Sequence, residues 1–248
     1  MSVSLTAAIT RTLSWFGFEV RKAPKSGKLS IPDAEFYTPL FSPWNGYGEF
    51  AEYLKLARPY TLVSPDRLYV LCSLAKNAIQ LHGEFWECGV YRGGTARMLA
   101  EFLRRNPRPG VKLHLFDTFA GMPETDREVD LHQKGDFSRT SLEAVKRVVM
   151  EDERVEFHPG WIPESFKEMP NAPIALAHVD VDIYRSVRDC CEFIYPRLVV
   201  GGVMVFDDYG FSTCPGARKA VDEFFAGKPE TPMVLGTGQA LAIRLAAG

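Results

Sequence analysis

From Ser64 onward the chain alternates between two hydrophobic patterns. Residues 64–79 (SPDRLYVLCSLAKNAI) place Leu68, Leu71, Ala75, Ala78 and Ile79 on one helical face, behind Ser64 at the N-cap and Pro65 at the first helical position. EFWECGV (84–90) is strand-like and runs into YRGG, and TARMLAEFLRR (95–105) is helical. VKLHLF (111–116) predicts a strand ending at Asp117, and Thr140 with Glu143 predicts a capping box ahead of LEAVKRVVM. Short strands follow at 154–157 and 174–179, then a helix over 184–198 and a strand over 202–206. The next helix, PGARKAVDEFF, aligns Ala217, Ala220, Val221 and Phe224. The chain closes with two β-like runs, PMVLG and ALAIRL, joined by TGQ.

Strands alternating with helices predict an α/β fold, a doubly wound and mostly parallel sheet covered on both faces. The short turn between the last two runs makes them a hairpin, so one edge strand is expected to run antiparallel. Ahead of this regular part, residues 23–63 are rich in Pro, Gly and aromatics and read as an irregular segment, packed over the core or closing a site as a lid. Residues 1–22 read as a short amphipathic helix that packs on the domain or on a second copy. The expected division is an extension over 1–63 and a catalytic domain over 64–248.

Composition changes little. The 248 residues are 46% hydrophobic and 24% charged, which suits a globular chain with a real core. A net charge of −2 gives no basic surface for nucleic acid. No stretch reaches the roughly 18 apolar residues of a membrane span, and the N-terminus lacks the basic start and cleavage site of a signal peptide. Five cysteines, odd in number and without metal-ligand spacing, suggest a reducing cytoplasm.

The strand ends carry the chemistry, because sites in such sheets lie beyond the carboxyl ends of the strands. In ECGVYRGG, Gly89 and Gly93 allow close approach to the backbone, and Glu87 would repel a pyrophosphate but welcome an ammonium or sulfonium. Asp117, ending the next strand, suits a ribose diol, or caps the turn that follows. A glycine loop with these two acids fits S-adenosylmethionine better than a nicotinamide dinucleotide, which would call for G-x-G-x-x-G. Asp180 and the pair Asp207-Asp208 end neighbouring strands in sequence; three carboxylates without imidazole or thiolate favour Mg²⁺, Mn²⁺ or Ca²⁺ over zinc.

These residues stand in segments that resemble the macrocin O-methyltransferase family: TLVSPDRLYVL, GEFWECGVYRGGTARMLA, FDTFAGMP, HPGWIPESF, HVDVDIYRSVRDCCEFIYPRLVVGGVMVFDDYG and PGARKAVDEFF, in matching order over about residues 59–226. The resemblance implies a class I, Rossmann-like fold with a seven-stranded sheet. It implies a metal-assisted methyl transfer from S-adenosylmethionine to a hydroxyl of a small molecule, a sugar or sugar-bearing natural product. It further implies Mg²⁺ (or Mn²⁺) on Asp180, Asp207 and Asp208, with Asp182 as general base beside Asp180. Glu87, Gly89 and Gly93 would hold the methionine end of the cofactor and Asp117 its ribose, with Trp161 and the Ser138 region near the adenine. The resemblance also favours a homodimer or higher homo-oligomer.

Three departures touch the acceptor side: His178 before the DVD, RSVRDCCEF opening the next helix, and FSTCPGARKA after DDYG. His178 is a rival base, while His82, His114, His132 and His158 carry no assigned role. A catechol or phenolic O-methyltransferase would use the same metal chemistry, and residues 36–50 suit a planar ring as well as a sugar face. A non-catalytic S-adenosylmethionine-binding protein would have no use for the acidic set.

Overall fold

The computed structural model describes residues 41–246 except Glu151, so the helix predicted over 1–22 and the segment over 23–40 lie outside the described residues. Seven strands form one sheet: β1 (Glu84–Cys88), β2 (Leu113–Asp117), β3 (Val155–Pro159), β4 (Ile174–Val179), β5 (Leu198–Phe206), β6 (Met233–Val234) and β7 (Ala240–Ile243). Their order is β3-β2-β1-β4-β5-β7-β6. β1 to β5 run parallel, and β7 runs against both β5 and β6. The inverted strand therefore lies one place in from the edge, which two-residue β6 forms.

Side chains alternate across this sheet as the period of two requires. Phe85, Leu113, Leu115 and Val205 enter the core on one face; Trp86, Phe116, Ala177 and Met204 enter the core on the other. The first face is covered by helices α1 (Phe50–Ala57), α2 (Pro65–Ala78), α3 (Gly94–Arg105) and α4 (Leu142–Val149), the second by α5 (Tyr184–Ile194) and α6 (Pro215–Phe225). All five residues assigned to the face of α2 are buried, as are the four assigned to α6.

Three local expectations are corrected. Residues 50–57 are helical, where an irregular segment was expected: Phe50, Tyr53 and Ala57 recur at helical spacing and are buried, with the Tyr53 ring 6.2 Å from that of Phe102 on α3. The cap of α4 is Ser141, whose hydroxyl accepts from the Ala144 amide, while Thr140 instead donates to the Tyr91 carbonyl. The helix expected over 184–198 ends at Ile194 and passes into a 3-10 turn at Tyr195–Arg197, since Pro196 cannot continue the α-helical ladder.

One ion cluster ties β3 to the first helical layer. Asp152 accepts from Arg154 Nε and Nη2 at 2.9 and 2.8 Å and from Arg104 Nε at 3.0 Å. The Arg154 bonds outweigh the cost of burial and hold this carboxyl down at about 2. Asp152→Asn is expected to lower stability at neutral pH by about 1.5–3 kcal/mol, the usual worth of hydrogen bonds to a charged group. The native carboxyl binds its proton more weakly than the unfolded one, so its contribution is complete above the unfolded value of about 4 and is lost as pH falls towards 2. Urea midpoints of parent and variant should therefore converge over that window.

Candidate active site

The winding of the sheet reverses between β1 and β4, and at the carboxyl ends of these strands lies a cavity of about 270 Å³. Its walls include Glu87, Gly89, Asp117, Asp180, Asp182 and Asp208, with Trp161 half exposed beside them.

On the β1 side, the chain's own packing demands the glycines. Gly89 has φ 87°, and a Cβ there would stand 1.8 Å from the Asp180 carbonyl oxygen. Gly93 (φ 84°) caps α3, and a Cβ there would lie 2.9 Å from Val145 Cγ1. Gly89 faces the cavity; Gly93 and Ser138 are not among its lining residues, and Ser138 lies against Gly121. The Asp117 carboxylate fastens the loop, Oδ2 accepting from the Val90 and Tyr91 amides at 2.7 and 2.9 Å and Oδ1 from the Phe119 amide at 2.7 Å. Glu87 is buried, and burial raises its pKa; its Oε2 has no hydrogen-bond partner. A buried carboxylate oxygen with no donor, at the wall of a cavity, is the complement of an ammonium group.

On the β4–β5 side, Val179 pairs with Phe206, so Asp180 and Asp207 emerge side by side. Their environments differ. Asp207 accepts from Arg67 through Oδ2 and from Gln239 at 2.8 Å through Oδ1, and His178 Nε2 lies 3.3 Å from the same Oδ1. Burial alone would raise its pKa, but these partners, His178 foremost, bring it below the ordinary carboxylate value. Asp208 and Asp180 lie well above that value. Burial is the chief cause for both, reinforced by Asp182, Asp180 and Asp207 around Asp208 and by Asp207 beside Asp180. Asp182 occupies a left-handed position (φ 60°), its amide donating to Asp208 Oδ2 at 2.9 Å, and burial raises its carboxyl.

Asp180, Asp207 and Asp208 therefore stand near one another, but not as one tight triad. Single ligand atoms of His178, Asp180 and Asp207 come within 4.8 Å of one another, and Asp208 is outside that group, tied to the Asp182 amide. Among the described residues, the Asp180 carboxylate accepts no hydrogen bond. Neighbouring buried carboxyls whose proton affinity is raised by one another fit a hard divalent cation, which would relieve that repulsion.

His178 is fully buried and does not line the cavity. It bridges Asp207 and Glu87, with Nδ1 3.5 Å from Glu87 Oε1. Four residues without an assigned role also belong here: Arg67 and Gln239 on Asp207, and His132 and Cys214 on Asp182. Arg67 sits within TLVSPDRLYVL, but nothing in its local pattern marks it as an Asp207 partner.

A sheet of this order, a glycine loop after β1 and acids at the ends of β2, β4 and β5 fit a class I S-adenosylmethionine-dependent methyltransferase. The chain belongs to the macrocin-O-methyltransferase (TylF) family, whose model matches residues 55–233. It is 33% identical over 178 residues to the 8-demethyl-8-(2,3-dimethoxy-alpha-L-rhamnosyl)-tetracenomycin-C 4'-O-methyltransferase of Streptomyces olivaceus, covering 66% of this chain and 67% of that one. It is 30% identical over 183 residues to the demethyldecarbamoylnovobiocin O-methyltransferase of Streptomyces niveus, covering 68% and 69%. Among solved structures, the O-methyltransferase NovP superposes with a TM-score of 0.69 at 27% identity, over 75% of this chain and 83% of that one. The calicheamicin methyltransferase CalS11 shares the fold, with a TM-score of 0.66 at 19% identity over 98% and 94%. No helix among the described residues is long and apolar enough to cross a membrane.

Proposed function

We propose that this enzyme methylates a sugar hydroxyl of a natural product with the help of Mg²⁺, which Mn²⁺ could replace on the same oxygen ligands. The observation that carries this reading is the confrontation across one cavity of the orphaned Glu87 oxygen with Asp180, Asp182 and Asp208. The acceptor class follows the Streptomyces olivaceus relative, whose name gives a rhamnosyl-bearing tetracenomycin as the methylated compound.

S-adenosylmethionine, when bound, supplies an electrophilic methyl group on a sulfonium. Glu87, whose Oε2 has no partner, would hold the methionine ammonium. Asp117 holds the loop by three amides and retains lone pairs for a ribose hydroxyl, while Trp161 offers a flat apolar surface to the adenine. Asp180, Asp207 and Asp208 would hold Mg²⁺, whose contribution is to make the acceptor hydroxyl more acidic. Asp182 accepts the hydroxyl proton, with its backbone fixed by the bond to Asp208. Arg67, Gln239 and His178 keep Asp207 ionised. The surrounding walls orient the acceptor, and such positioning supplies much of the acceleration.

Calorimetric titration of S-adenosylhomocysteine and of Mg²⁺ into parent and Asp208→Asn enzyme tests the proposal. Nucleoside binding should survive EDTA and the substitution, and Mg²⁺ uptake should be lost in the variant. Absence of Mg²⁺ uptake by the parent would remove the metal from the scheme, and absence of nucleoside binding would remove the cofactor assignments.

A further inference from the structure

The carboxylate of Asp182 lies in a second, chemically different cluster. Its Oδ1 is 3.4 Å from Cys214 Sγ and 3.6 Å from His132 Nε2, and the last two atoms are 3.7 Å apart. The three come from different elements: the long connection between β2 and α4, the turn after β4, and the N-cap of α6. All three line the cavity.

We propose that His132, Asp182 and Cys214 form a binding site for zinc or a similar borderline-soft divalent ion, separate from the hard-ion site. With Zn–S near 2.3 Å and Zn–N and Zn–O near 2.0 Å, a tetrahedral centre has ligand–ligand edges of about 3.5 Å to sulfur and about 3.3 Å between nitrogen and oxygen. The three separations each fall within a few tenths of an ångström of those edges, so the triangle is preformed, and its fourth vertex is left for water or a ligand in the cavity.

The outer partner of the imidazole is the independent observation. His132 Nδ1 is 3.1 Å from Asp136 Oδ2. A metal-bound histidine commonly gives its second N–H to a carboxylate, which fixes the tautomer and leaves the other nitrogen's lone pair free for the metal. Nε2 is the nitrogen that faces Asp182 and Cys214. Burial and the nearby carboxylates favour the neutral Cys214 thiol, so a bound cation must displace its proton to the buffer. The thiolate so formed separates this site from its neighbour, because sulfur selects zinc over Mg²⁺.

A comparable group, His114, Glu156 and His158, is a weaker candidate. There His114 Nδ1 and His158 Nε2 are 2.9 Å apart, closer than the roughly 3.3 Å between two nitrogen ligands of a tetrahedral ion, and no thiol is present. An ion on the His132 cluster would withdraw Asp182 from proton abstraction. That consequence rests on the role proposed for Asp182, but binding itself does not.

The test uses metal-stripped full-length protein in excess Mg²⁺, with Co²⁺ as the spectroscopic probe and Zn²⁺ as its competitor. One equivalent of Co²⁺ should produce a thiolate-to-cobalt charge-transfer band that Zn²⁺ abolishes, whether or not Mg²⁺ binds the hard site. His132→Gln and Cys214→Ser should remove the band. His158→Gln should leave it. Asp136→Asn, at a partly exposed side chain, should weaken Zn²⁺ binding by about 10- to 100-fold, as loss of an outer partner does. Absence of the band in the parent, or Zn²⁺ affinity unaffected by His132→Gln, would overturn the proposal.

Discussion

Asp182→Asn is expected to lower kcat by about 10²- to 10⁴-fold, the usual worth of a positioned general base, with S-adenosylhomocysteine affinity unchanged. The substitution removes the base and leaves the backbone in place. Asparagine tolerates the left-handed backbone at this position and keeps the amide that donates to Asp208. It loses the ability to take up a proton at the carboxylate, and with it the negative charge that faces His132 and Cys214. Rate constants with a glycosylated acceptor and calorimetry with the product nucleoside give the two readouts. A variant retaining full kcat would rule out Asp182 as the base. A variant that loses nucleoside binding would show a disturbed fold, and the rate would then say nothing about proton transfer.

His178→Leu should cost about 3–5 kcal/mol of stability, as removal of one member of a buried ion pair does. The imidazole is wholly buried, 3.3 Å from Asp207 and 3.5 Å from Glu87, each almost wholly buried itself. Leucine fills comparable space but leaves both acids without a cation between them. Asp207 keeps Arg67 and Gln239, so the greater loss falls on Glu87, whose other oxygen already lacks a donor. The urea midpoint should fall with an unchanged slope. An unchanged midpoint would mean that the three groups are neutral in the native protein and that the bridge contributes nothing.

Some of this was legible from local pattern. The strand over 174–179 has the expected bounds because a strand buried on both faces is a nearly continuous apolar run, here broken only by His178 and framed by Pro173 and Asp180. The Asp207-Asp208 pair stood out for the same reason, as charge at the end of such a run. Helix α1 did not, since its eight residues follow a stretch dominated by Pro, Gly and aromatics that masks the spacing of Phe50, Tyr53 and Ala57. The partners of the acids were illegible on physical grounds. Arg67 is 140 positions from Asp207, and Cys214 is 32 from Asp182, so no local window contains both members of either pair. His132 carried no signal at all, because a lone histidine in a polar connection acquires meaning only when the sheet brings the β4 turn beside it.

The contact between Gly89 and the Asp180 carbonyl has a bearing on how such enzymes diversify. Main chain meets main chain there, with the Asp180 amide also bonded to the Cys88 carbonyl at 2.8 Å. The separation of the donor half of the site from the acidic half is thus set by backbone alone, independent of any side chain that faces the acceptor. The walls built from the connection after β2 and from residues 211–214 can change in size and polarity without altering that separation. Substitutions that reshape those walls should therefore leave the spacing of the two halves of the site intact.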